Sequence, residues 1–143
     1  MGRFFRSILN SLILSTLTVV LGNCFVYLLG LFSVRRAGVL SRVVDLLSLS
    51  TIAIPGLVLG IGYIFLFWGT GCFFYGTMSI LVIVNIIRFL GLPYLLAKNC
   101  LGKINSEYEV IGETLGISRG RILRRVLLPM SLPTLVEMFA YFF

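Results

Sequence analysis

Few side chains in this 143-residue sequence are equipped for chemistry, and their types and spacing point away from catalysis. Histidine, the commonest general base and metal ligand, is absent. Cys24, Cys72 and Cys100 stand singly, without the C-x-x-C spacing of a metal or redox site, and two of them lie inside apolar runs as small hydrophobes. The five acidic residues form no pair within an apolar run, and the serines have no base partner. No G-x-x-x-x-G-K-[ST] phosphate cradle occurs, so the chain does not itself hydrolyse nucleotide by that route. The sequence therefore predicts no catalytic residue, no metal site and no cofactor. What stands out instead is one polar pair inside an apolar run, Asn85 and Arg88. An arginine there costs about 2.5–3.5 kcal/mol on insertion scales and should face protein or water. Two roles suit it: helping an anionic substrate across, or bonding carbonyls freed by Pro93.

The elements that position these residues are apolar to an unusual degree. Hydrophobic residues make up 59% of the chain and charged residues only 12%, about half the share usual in soluble domains. Apolar residues come in runs, not stripes, which leaves no polar face for water. Lipid is the expected solvent, and the fold class is an all-α membrane bundle. The net charge of +7 comes from bases crowded at the ends of the apolar runs, the pattern of topology signals and not of a nucleic-acid face.

Three spans and part of a fourth are expected. The first covers about 11–34, 24 residues without a charge, enough at ~1.5 Å per residue to cross a ~30 Å hydrocarbon core. It is too long for a removable signal-peptide core. Arg35 and Arg36 end it, and 37–45 reads as a short polar connection. The second span, about 46–68, carries Pro55, which predicts a kink, and Gly56 and Gly60, whose shared face suits close helix contact better than substrate contact. A Gly/aromatic turn over 69–76 follows, with Trp68 and Tyr75 at the lipid boundary. The third span covers about 77–97. After it, Lys98 to Arg125 holds nine of the seventeen charges, so 98–129 is read as a water-facing loop. The apolar pattern resumes over 130–143 and reaches only ~22 Å, an incomplete fourth span.

The polar loop carries the most specific signal. Ser106 with Glu109 fits a capping box opening a helix from Glu107 to Leu115, and Gly116 suits its left-handed C-terminal cap. Ser118 is placed to start a second helix through Arg125 and Val126, with Pro129 marking the junction to the next span. Val110, Ile111, Thr114 and Leu115 make an apolar strip on the first helix. Such a strip implies either a protein partner or a helix lying on headgroups.

The run from Gly116 through Val126-Leu127-Leu128-Pro129, with nine residues between Gly116 and Val126, resembles the EAA loop of binding-protein-dependent ABC importer permeases, the family with the MetI-like fold. The family's Glu-Ala-Ala falls at Val110-Ile111-Gly112, where none of the three matches; Glu109 and Glu113 flank the position. Asn10-Ser11-Leu12, the run Pro55 to Tyr63, Arg88-Phe89-Leu90 and Pro93-Tyr94 look like the iron(III)/2-aminoethylphosphonate branch. The resemblance implies a permease whose loop docks in a cleft of a cytoplasmic ABC ATPase, with Glu109, Val110, Ile111, Gly112, Glu113, Leu115, Gly116, Val126, Leu128 and Pro129 as coupling residues. It further implies a second permease domain, an extracytoplasmic substrate-binding protein, a bacterial inner-membrane location with several spans, and no role in nucleic-acid binding. Substrates from iron(III) and aminoethylphosphonate to thiamine and polyamines are compatible with it.

With that loop cytoplasmic, nine Lys/Arg fall inside, Arg3 and Arg6 outside and Arg88 within the membrane, which satisfies the positive-inside rule overall. The outside pair predicts earlier spans, so the chain is expected to be clipped at both ends. The rival readings are a small membrane scaffold or lipid-binding protein with a basic interfacial loop, which predicts no dependence on Gly116 or Leu115, and a membrane-embedded enzyme, which the missing histidine and unpaired carboxylates disfavour.

Overall fold

The computed structural model describes residues 2–36, 38–68, 77–104 and 107–143, with the side chains of Tyr108, Glu109, Glu113 and Arg119 outside that description. The expected turn over 69–76, with Cys72 and Tyr75, and the capping residue Ser106 also lie outside it. Among the described residues the structure is helical, with no strand, as the all-α membrane bundle requires.

Helix α1, Gly2–Arg35, is the one described helix long and apolar enough to cross a bilayer alone. It begins nine residues before the expected span. Gly38 is extended and separates it from α2, Val39–Ala53. The expected polar connection 37–45 is therefore mostly helix. Its polar groups find partners on neighbouring helices: the Ser41 hydroxyl donates to the Ser33 carbonyl at 3.0 Å, and Asp45 pairs with Lys98. Partnered in this way, Ser41 and Asp45 need not face water, and the helix continues through them.

Helix α2 stops before Pro55. Ile54 is extended, as the residue preceding proline prefers, and α3, Gly56–Phe67, leaves at 112° to α2. The Pro55 carbonyl accepts the first turns of α3, from Val58 N–H at 3.0 Å and Leu59 N–H at 3.2 Å. The expected kink is thus a turn past the perpendicular. Gly60 has open space around it, contrary to the expected close helix contact, while Gly56 meets the Arg88 side chain.

Helices α4, Met78–Arg88, and α5, Gly91–Lys103, form a second bent pair at 58°. Pro93 falls in the first turn of α5, where its missing N–H leaves no bond unmade. The chain then forms α6 (Glu107–Thr114), α7 (Arg119–Ile122), a five-residue π turn (Leu123–Leu127), α8 (Leu128–Met130) and α9 (Leu132–Phe142).

Helix α1 is the spine against which α4, α5 and α9 pack. Val19 and Val26 of α1 meet Tyr94 and Ala97 of α5 and Met138 and Phe142 of α9 in the main core. Close approach is set by small residues: a Cβ on Gly30 would stand 3.1 Å from the Ala97 Cβ. A second core, of Tyr27, Leu101, Ile104 and Leu127, closes the end of the bundle from which the polar loop departs. There Arg35 reaches the Ile104 carbonyl at 3.4 Å. Residues 98–103, expected to be water-facing loop, thus continue α5 and bury Leu101 completely.

Candidate functional site

The polar loop is built from two short helices turned on one glycine. Helix α6 ends with Leu115 N–H bonded to the Ile111 carbonyl at 3.1 Å. Gly116 takes φ 71°, and Ile117 N–H closes back on the Gly112 carbonyl at 2.9 Å. This six-to-one bond is the Schellman arrangement, which needs a left-handed residue at its fifth position. The chain reverses there, and the Ser118 carbonyl accepts Arg121 N–H and Ile122 N–H to start α7.

The reversal brings Gly112 of α6 against Ile122 of α7. Ile122 is buried, and a Cβ on Gly112 would lie 2.4 Å from its Cδ1. The loop's own apolar contact is thus spent on Ile122. Val110, Ile111 and Leu115 stay open, at 59%, 54% and 70% exposure, and with exposed Thr114 they form the strip expected from sequence. The Glu109 and Glu113 side chains lie outside the described residues. Arg121, Arg124 and Arg125 line an open basic groove with Gly120.

Val126, Leu128 and Pro129 do not join this strip. They sit where the loop enters the bundle, and the helix passes through Pro129 and breaks two residues later, at Ser131. The expected junction at Pro129 is corrected accordingly. The π turn accounts for it: Leu128 N–H bonds the Leu123 carbonyl five residues back, and the widened turn gives the Pro129 ring room beside the preceding carbonyls. Leu127 and Leu128 pack on the second core. Ser131, fully buried, donates to the Leu127 carbonyl, and its hydroxyl meets the Tyr27 hydroxyl of α1 at 2.7 Å. Ser131 and Tyr27 escaped the sequence reading, as did the packing roles of Ile122 and Leu127. The spacing of Pro129 and Pro133 around Ser131 was the local signal available for one of them.

Asn85 and Arg88 lie one turn apart on α4, but Arg88 ends that helix at the bend. It sits at this break and not within a continuous helix. Its guanidinium lies over the Phe89 ring at 5.2 Å and against Gly56. It makes no hydrogen bond to a carbonyl among the described residues, so the expected role at carbonyls freed by Pro93 finds no support. A cavity of about 160 Å³ opens beside it, lined by Thr51, Ile54, Gly56, Gly91 and Tyr141 among others; Asn85 does not line it.

A second polar cluster ties the helices together. Asp45 of α2 lies 2.7 Å from the Lys98 ammonium of α5, accepts the Ser33 hydroxyl of α1 at 2.7 Å and accepts the Tyr94 hydroxyl.

A family model described as "Binding-protein-dependent transport system inner membrane component" matches residues 22–143. The chain belongs to this family. It covers every element from within α1 to α9, the two-helix loop included. As a member, the chain is a permease component of an ABC transport system, a class of membrane transport protein, and its location is the inner membrane. Transport systems of this family work with a binding protein and an ATPase. Among curated proteins, none matches this chain.

Proposed function

We propose that this chain is a permease subunit of an ATP-driven importer and that α6 and α7 form the element by which a cytoplasmic ABC ATPase moves it. The observation that carries the reading is the open strip of Val110, Ile111 and Leu115 on a loop whose own packing is already satisfied by Gly112 and Ile122. Three large apolar side chains on a loop otherwise rich in charge call for a protein surface to cover them. Gly116 turns the chain without side-chain bulk, so the two short helices can enter a cleft together.

The path by which a pull on this loop reaches the membrane helices is short. Leu127 is anchored in the second core, and Ser131 joins the loop's exit to Tyr27 of α1. Closure of two ATPases draws two such loops together, and the permease pair alternates between inward- and outward-facing states. In this reading the α2–α3 and α4–α5 pairs each act as one broken span beside α1, with spans over about 11–34, 46–68 and 77–97 and a further one starting at 130. A second permease domain completes the path, and an extracytoplasmic binding protein delivers the substrate. The residues shared with the iron(III)/2-aminoethylphosphonate branch favour a substrate of that class.

The test is co-purification. The ATPase of the same transport system, co-expressed with this chain, is expected to follow the wild type through a detergent column and to be lost with Leu115→Glu. Retention of the ATPase by Leu115→Glu and Val110→Glu alike would overturn the coupling role.

A further inference from the structure

The segment that leads from the polar loop into α9 carries four arginines within the seven residues from Arg119 to Arg125. Three of them, Arg121, Arg124 and Arg125, converge with Gly120 on one open groove of about 660 Å³. All three are exposed, and none has an ion-pair partner among the described residues. Like charges three and four residues apart on a helix repel one another. The apolar residues between them are turned inward: Ile122 and Leu127 are buried, and Leu123 packs on the second core. The segment is thus amphipathic, apolar toward the protein and cationic outward.

The groove also stands close to the hydrocarbon. Arg124 and Arg125 precede Met130 by six and five residues, and the chain stays helical from one to the other. At ~1.5 Å per residue the separation along the axis is at most ~9 Å. From Met130 onward the outward side chains are apolar, with Met130, Leu132, Val136 and Phe139 all exposed. The polar zone of a bilayer is ~5–7 Å deep on each side of its hydrocarbon core. The arginines therefore reach headgroup level, with a surface fit for acyl chains beginning just below them.

We propose that the groove of Arg121, Arg124 and Arg125 seats the phosphate of an anionic phospholipid, whose acyl chains lie along the exposed apolar side of α9. Guanidinium groups offer parallel N–H donors that match two phosphate oxygens, so the groove holds a particular headgroup as well as a diffuse negative surface. A run of four basic residues directly beside a membrane helix is the pattern that attracts anionic lipid. The bound headgroup relieves the repulsion among the three cations and pins the loop's exit to the bilayer. The strip of Val110, Ile111 and Leu115 belongs to α6 and is left free. A soluble phosphate or an acidic protein surface would meet the same cations but would leave the adjoining apolar surface uncovered. The inference needs only the membrane location that the family gives, and not the coupling role of α6.

The full chain is purified in a neutral maltoside detergent and titrated with phosphatidylglycerol or phosphatidylcholine, and bound lipid is counted by native mass spectrometry. Phosphatidylglycerol is expected to bind at least about tenfold more tightly than phosphatidylcholine. Replacing Arg121, Arg124 and Arg125 together by glutamine should abolish that preference, while Arg3→Gln with Arg6→Gln, at the far end of α1, should keep it. A measurement on the unaltered chain guards against misfolding of the triple variant: raising the salt should weaken binding of phosphatidylglycerol and leave phosphatidylcholine unaffected. Equal affinity for the two lipids would overturn the proposal, as would a preference indifferent to salt or one retained in the triple variant. Displacement of the lipid by an equal concentration of glycerophosphoglycerol, the same headgroup without acyl chains, would also overturn it, because the groove would then be a site for soluble phosphate. Loss of ATPase co-purification in the triple variant with its lipid preference unchanged would assign the groove to an acidic protein surface instead.

Discussion

Gly112 and Ile122 occupy one space: the hydrogen that glycine carries in place of a Cβ is what lets the Ile122 side chain close over α6. Their contact fixes the angle between the two loop helices and turns Val110, Ile111 and Leu115 outward. Alanine is expected to be tolerated, because the atom it meets is the end of a flexible side chain. Gly112→Leu should cost about 1–3 kcal/mol through overpacking and reduce ATPase co-purification. Ile122→Ala in the same chain should restore part of the loss. Independent, additive effects of the two substitutions would contradict the contact's role.

Gly116 tests conformation without sterics, since nothing lies within 4 Å of a Cβ placed there and its φ is 71°. A side chain at left-handed φ costs about 1–2 kcal/mol. The ATPase retained on co-purification should therefore fall in the order glycine, asparagine, alanine, valine. Valine retaining as much as glycine would show that the turn is not needed in the docked loop.

Asp45 and Lys98 are partly exposed, at 23% and 35%, so their bond is worth less than a fully buried pair. Asp45→Asn should cost about 1–2 kcal/mol, counting the Ser33 and Tyr94 hydroxyls that also donate to it. Thermal unfolding in detergent of the two single variants and of Asp45→Asn with Lys98→Met measures the coupling. A coupling near zero would mean that water satisfies both groups and that α2 is held to α5 by apolar packing alone.

Tyr27→Phe removes one hydroxyl and little volume. The hydrogen bond to buried Ser131 predicts a loss of about 0.5–1.5 kcal/mol in stability. If Ser131 transmits loop motion to α1, ATP-driven transport in the assembled system should fall while ATPase binding stays intact. Unchanged transport would assign the pair to stability alone.

The physics of apolar runs explains what could be read in advance. Uncharged stretches long enough to cross lipid foretold helices, and Gly116 with its capping pattern foretold the two-helix loop, because both depend on residues close in sequence. The rest depended on partners from elsewhere. Ser41 and Asp45 looked like loop residues because Ser33 and Lys98, which satisfy them, belong to other helices. Pro55 announced a bend but not its 112° size, which is set by the packing of the α4–α5 corner against Thr51 and Ile52. Arg88 looked like a mid-helix cation because the break at Phe89 lacks a proline or glycine of its own. Pro129 looked like a stop because a π turn leaves no mark in the sequence.

The most direct test of coupling is to place a photo-cross-linking residue at Leu115, whose side chain is 70% exposed, in membranes holding the whole transport system. The account predicts a cross-link to the ATPase subunit, and none from a probe at Leu101, which is fully buried in the bundle. Cross-links from Leu115 to lipid alone, with the ATPase present and active, would contradict it.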